Sequence, residues 1–200
     1  MPDLKVILYQ LMKGAVLIFP NTRCMIAGIF LTGTLSLAGQ TPVTREYQLK
    51  AVFLFNFTQF VEWPASSFAT DQSPLVIGIL GKDPFGAALP EIVSGEKVNG
   101  HPVTVQYYSN MEEIKTCHIL FINLAEAKKT ERVVGSLKGR NILTVSDEPD
   151  FSEQGGMVRF FIRDNKIKFQ INLEASKAAG LVLSSKLLRL AEIYVPPKNS

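Results

Sequence analysis

The groups able to do chemistry are few in this chain, and their spacing excludes most reactions. The two histidines are His101, beside Pro102 in a turn, and His118, next to Cys117 at the start of the strand-like run Cys117-His-Ile-Leu-Phe-Ile122. Neighbours in a strand point to opposite faces, so Cys117 and His118 cannot work together as nucleophile and base. His118 is read as a packing residue. One cysteine and two scattered histidines match no zinc spacing. The loop Asp147-Glu-Pro-Asp-Phe-Ser-Glu153 carries four carboxylates. It lacks the alternating ligand order and central glycine of an EF-hand and reads as a solvated loop. No G-x-S-x-G elbow surrounds Ser146-Asp147, so a hydrolase built on Ser146, Asp147 or His118 is disfavoured. The run I-G-I-L-G-K, Ile77 to Lys82, is neither a P-loop nor a dinucleotide fingerprint. The expectation is a protein without catalytic residues, metal or cofactor.

The elements that would position any site follow from periodicity. Thr44 to Trp63 is a stretch of Leu, Val and Phe ended by Pro64, with apolar residues at helical spacing and a Thr44/Glu46 start, and it predicts a core helix. Lys50, Asn56, Gln59 and Glu62 interrupt it too often for a membrane span. Pro74 to Leu80 is a continuous apolar run closed by Gly81, as in a strand buried on both faces. Phe85 to Val93 reads as a short helix, Val103 to Tyr108 as a strand, Met111 to Lys115 as a helical turn, and His118 to Ile122 as a third buried strand. Ala125 to Leu137 reads as a helix and Asn141 to Val145 as a strand. This alternation predicts a single three-layer α/β domain, a mostly parallel sheet of about six strands with helices on both faces. Met157 to Arg163 and Lys166 to Asn172 flank the turn pair Asp164-Asn165 and predict an antiparallel hairpin at the sheet edge. Glu174 to Val195 reads as a final helical region broken at Gly180 and stopped by Pro196-Pro197.

The first 38 residues read as an export signal. Met25 to Leu37 is an apolar run preceded by Arg23, and Ser36 and Ala38 place small residues before a cut at Gly39. Translation from Met12 and an uncleaved N-terminal anchor are the alternatives. Cys24 precedes the apolar run and is not a lipoprotein cysteine. Cleavage would leave residues 39–200 with Cys117 unpaired, and no disulfide within the mature chain. Removing three basic residues and one acidic residue with the signal leaves 18 basic and 17 acidic side chains. A nearly neutral domain without a basic run lacks the footprint of nucleic-acid binding.

Without a catalytic set, the aromatics become the candidates for binding. Most of the 13 phenylalanines belong to core spacings. Trp63, Phe151, Phe160 and Phe161 have polar or turn-forming neighbours. Met157, Arg159, Phe161 and Arg163 share one face of the hairpin, and Val158, Phe160 and Ile162 the other. If the second face is core, Phe161 stands outside between two arginines, the composition of an interface centre. The partner-binding candidates are therefore Phe161, Arg159, Arg163, Phe151 and Trp63, on the hairpin and the adjacent Asp147 to Glu153 loop. The bland alternative buries Phe161 under the final helix.

Several ordered motifs resemble the YfiR family of periplasmic regulators. They are Tyr47 to Pro64 (Y-Q-L-K-A-V-F-L-F-N-F-T-Q-F-V-E-W-P), Ile142 to Asp147 (I-L-T-V-S-D), Gly155 to Phe160 (G-G-M-V-R-F), Lys168 to Ala175 (K-F-Q-I-N-L-E-A) and Ala179 to Leu188 (A-G-L-V-L-S-S-K-L-L). The resemblance implies a periplasmic protein that represses a membrane-bound diguanylate cyclase by binding its periplasmic sensor region, lowering cyclic di-GMP and with it biofilm formation. It further implies sequestration by an OmpA-like outer-membrane lipoprotein, and a homodimer. Members of that family can carry disulfides, a departure here because Cys117 stands alone. The competing reading is a periplasmic small-ligand-binding module reporting to a sensor kinase, using a strand-end crevice of the sheet.

Overall fold

The computed structural model describes residues 43–196. The signal segment, Cys24 and the choice between Met1 and Met12 lie outside the described residues.

Helix α1 spans Arg45–Phe60. Thr44 caps it, its side-chain oxygen accepting from the Tyr47 N–H, and Glu46 complements the positive end of the helix dipole. The chain turns extended at Val61 and enters the two-residue strand β1, Val61–Glu62. After a 3-10 turn over Ala65–Ser67 come β2 (Leu75–Gly81), α2 (Ala88–Val93), β3 (Lys97–Val98) and β4 (His101–Tyr108). Then follow β5 (Ile119–Asn123), α3 (Ala127–Leu137), β6 (Leu143–Ser146), β7 (Val158–Arg163) and β8 (Lys166–Ile171).

With β10 at Glu192–Ile193, the main sheet has eight strands in the order β10-β8-β7-β6-β5-β2-β4-β3. All six strands read from the sequence are present, and β3 and β10 are additions too short to show periodicity. Pairing is parallel from β4 through β2, β5 and β6 to β7, and antiparallel in the β7–β8 hairpin. The hairpin turn is made by Asp164 (φ 52°) and Asn165 (φ 56°), both left-handed as a type I′ turn requires.

Two cores sit on opposite faces of this sheet. Ile77, Ile79, Ile119, Phe121, Leu143, Val145, Phe160 and Phe169 pack with Ala51, Leu54 and Phe57 of α1 and with Leu89 and Val93 of α2. The alternate residues Leu80, Leu120 and Ile122 pack with Val133, Val134 and Leu137 of α3. The central strands read as unbroken apolar runs because both of their faces are covered.

The C-terminal segment differs from the single helical region expected. It forms α4 (Leu173–Ala178), β9 (Val182–Leu183), α5 (Ser185–Leu188) and β10 (Glu192–Ile193). Gly180 ends α4 at φ +69°, which frees the next residues to run antiparallel to β1, Val61 facing Leu183 and Glu62 facing Val182. The Ser184 N–H donates to the Phe60 carbonyl, and Ser184 then caps α5. Long-range pairing outcompetes the weak local helix preference of these short pieces. The hairpin is also not the outermost pair of the sheet, because β10 adds in parallel outside β8, Glu192 facing Gln170 and Ile193 facing Ile171.

Candidate partner-binding site

The hairpin divides the candidate residues by the period of the strand. Val158 and Phe160 enter the core under α1, whereas Arg159, Phe161 and Arg163 emerge on the opposite face. On that face α3 packs with Leu80 of β2 and with Leu120 and Ile122 of β5, and no hairpin residue belongs to this cluster. Phe161 is consequently half-buried, held between Arg159 and Arg163, whose guanidinium carbons lie 5.1 and 5.0 Å from its ring centroid. The final segment does not cover it as a helix. Ile162, on the core side of the strand but near the hairpin turn, is 56% exposed.

β6 pairs with β7 only through Val145 facing Val158 and Ser146 facing Arg159. Residues Phe160 to Arg163 therefore have a strand neighbour on the β8 side alone. The hairpin has free edge on β7 from Phe160 to Arg163 and also on β8 from Lys166 to Phe169, beyond the end of β10.

One candidate is corrected. Phe151 is 0% exposed: the loop folds it inward against Ile122, Val134 and Leu137. Gly156 allows this, since a β-carbon there would lie 2.3 Å from the Phe151 ring. Trp63 is half-buried, packs against the α1 core, and donates its ring N–H to the His118 carbonyl at 3.2 Å. It braces the start of β5 and lies away from the hairpin.

The acidic loop is split in the same way. Asp147 turns inward, its Oδ2 accepting from the Lys50 ammonium at 2.7 Å and from the Tyr47 hydroxyl at 2.8 Å. Glu46 contacts the same ammonium at 2.6 Å. Lys50 is 2% exposed, so these two carboxylates compensate an otherwise costly buried charge. Burial, and then the hydrogen bond to Asp147, push the Tyr47 hydroxyl well above its ordinary pKa. Asp150 and Glu153 face solvent, and Arg159 donates to the Pro149 carbonyl at 2.8 Å, tying the loop to the hairpin.

The residues once weighed for hydrolysis are dispersed. Ser146 closes β6 and donates to the Ile122 carbonyl at 2.8 Å, while His118 precedes β5 at the other end of the parallel pair. His118 is buried, its Nδ1 accepting from the Val76 N–H at 3.0 Å and its Nε2 unpartnered. Its ring stacks on Phe68, and Phe68 stacks in turn on His101. Burial lowers the His118 pKa to about 4. Cys117 is buried, and burial pushes its thiol up to about 12. Among the described residues no three His, Cys, Asp or Glu side chains stand close enough to hold a metal ion, and no helix is long and apolar enough to cross a membrane.

A groove of about 740 Å³ opens between α3 and α4, with Arg132, Lys138, Gln154 and Glu174 among its lining residues. Lys166 and Lys168 of β8 are the functional candidates that sequence reading missed, although the alternation of Lys166, Lys168 and Gln170 against Ile167, Phe169 and Ile171 signals them. Comparison with curated proteins found no match. Residues 47–192 match a family described as YfiR/HmsC-like.

Proposed function

The chain belongs to the YfiR/HmsC-like family, and from that premise we propose that it is a non-catalytic periplasmic regulator that represses a membrane-bound diguanylate cyclase by binding the cyclase's periplasmic sensor region. The observation that carries this reading is the extent of the family match, which spans the sheet from β2 to β8 together with nearly all of α1. In the same reading an OmpA-like outer-membrane lipoprotein sequesters the regulator, and the protein can pair with itself. The signal segment, cleaved before Gly39, delivers it to the periplasm.

Repression of this kind needs no chemistry, only unequal affinity for two conformations of the partner. Moving the cyclase from about 99% active to about 1% requires a preference of about 5.5 kcal/mol. A few aromatic and arginine anchors reach that magnitude at an interface. The hairpin face with Phe161, Arg159 and Arg163 is the docking surface in this proposal, supported by its composition and by the absence of a helix over it.

Deleting the gene in a strain that expresses the cognate cyclase is expected to raise cellular cyclic di-GMP, and restoring it to lower the level again. Unchanged cyclic di-GMP on deletion overturns the proposal. The groove between α3 and α4 favours a second reading, a small-ligand sensor module reporting to a membrane kinase. Thermal shifts with amino acids and small metabolites, abolished by filling the groove with Gly135→Leu, would support that reading instead.

A further inference from the structure

The uncovered hairpin face carries a charge pattern that specifies the chemistry of what docks there. Arg159, Phe161 and Arg163 face Gln170, Lys168 and Lys166 across the two strands. Four cations therefore surround one aromatic ring. Arg163 and Lys166 lie directly opposite each other, an arrangement of like charges that weakens a hairpin. Among the described residues the ion pair on this face joins Arg163 to Glu192 of β10, and Arg159, Lys166 and Lys168 have no carboxylate partner. The Arg159 Nε is buried without a hydrogen bond.

This concentration is local. Residues 43–196 contain 17 basic and 17 acidic side chains, so the field that would draw the domain to nucleic acid or an anionic membrane is missing. Beside the cations lies the unpaired backbone of Phe160 to Arg163. An edge of that kind accepts an extended chain through main-chain hydrogen bonds, and the side chains of an added strand alternate between the two faces.

Resting on the repressor reading, we propose that the partner presents an extended acidic segment that adds to β7 along Phe160 to Arg163. Its carboxylates, at every second position, share the face of Arg159, Phe161 and Arg163, where they meet the two guanidinium groups and the field of Lys166 and Lys168 one strand further, and the residues between them fall on the face of Phe160 and Ile162. The segment relieves the repulsion between Arg163 and Lys166 and completes the edge that β6 leaves open.

The test uses the purified protein and a fluorescent peptide with glutamate at every second position and valine between. A peptide of the same composition with its glutamates in adjacent pairs is the control. The alternating peptide is expected to bind at least about tenfold more tightly than the control, and its binding to weaken as sodium chloride is raised. The double variant Lys166→Glu/Lys168→Glu, melting as the wild type does, is expected to weaken that binding by about tenfold or more. Equal binding of both peptides, indifference to the charge reversal, or tighter binding to phosphatidylglycerol vesicles than to the peptide overturns the inference. A second measurement separates this inference from the reading beneath it. If the wild type lowers cyclic di-GMP and the double variant does so equally well, the repressor reading stands and the acidic segment falls. If the wild type has no effect on cyclic di-GMP, the repressor reading falls, and the peptide comparison alone decides the chemistry of the surface.

Discussion

The ring of Phe161 rests between the guanidinium groups of Arg159 and Arg163, while its chain neighbour Phe160 stacks on Phe57 of α1 with centroids 5.9 Å apart. Adjacent phenylalanines thus have opposite duties. Phe160→Ala is expected to cost about 3 to 5 kcal/mol of stability, as a buried aromatic does. Phe161→Ala is expected to cost about 1 kcal/mol or less and to weaken cyclase repression. Urea denaturation of both variants, alongside cyclic di-GMP levels, checks the pair. A large loss of stability in Phe161→Ala would make that residue core.

The buried Lys50 makes a different kind of prediction. Asp147→Ala removes one of its two carboxylates and one acceptor of Tyr47, and is expected to destabilise by about 2 to 4 kcal/mol. Lys50→Met removes the charge itself and keeps the apolar stem, so its expected cost is smaller, about 1 kcal/mol. Equal costs would mean that the ammonium is better hydrated than its burial implies.

Stability should fall with acid in a window set by His118. Burial holds its folded pKa at about 4, below the ordinary value of 6.5, so the folded state binds fewer protons than the unfolded chain between these values. The stabilisation is fully present above pH 6.5 and is lost progressively as pH falls towards 4. The expected loss is on the order of 3 kcal/mol. His118→Gln, uncharged throughout, should flatten the curve over this window. Parallel curves for the two proteins would assign the acid sensitivity to carboxylates.

Cys117 should be silent to thiol reagents. Its Sγ donates to the Ile119 carbonyl at 3.1 Å, and its burial and raised pKa leave almost no thiolate at neutral pH. Maleimide labelling of the mature protein is expected only after denaturation. Rapid labelling under native conditions would show that the β5 end of the sheet opens.

The legible and illegible parts of this fold divide along a physical line. Helix α1 and strands β2, β5 and β6 were readable because both faces are buried, and burial writes itself as long apolar runs. The hairpin was readable because Asp164 and Asn165 both tolerate left-handed backbone. The region from Glu174 to Val195 was misread because its two short strands are set by partners far away in the chain, β1 and β8, and by nothing local. Phe151 looked exposed because its neighbours are polar. Only the close approach that Gly156 allows shows that it turns inward. The outward placement of Arg159 and Phe161 followed from alternation once Val158 and Phe160 were assigned to the core, whereas the free edge of β7 depends on where β6 ends.

Helix α1 is the first element of the described chain, yet part of the surface it covers comes from the hairpin, late in the sequence. Phe53 and Phe57 meet Phe160 and Phe169, and Lys50 meets Asp147 across 97 positions of sequence. A chain emerging from its N-terminus therefore carries Phe53 and Phe57 without these ring partners until the hairpin has been made. Contacts of such long range slow folding, because a large loop must close before they give anything back. A chain truncated before β7 is thus expected to expose this part of the helix, and with it apolar surface that favours aggregation.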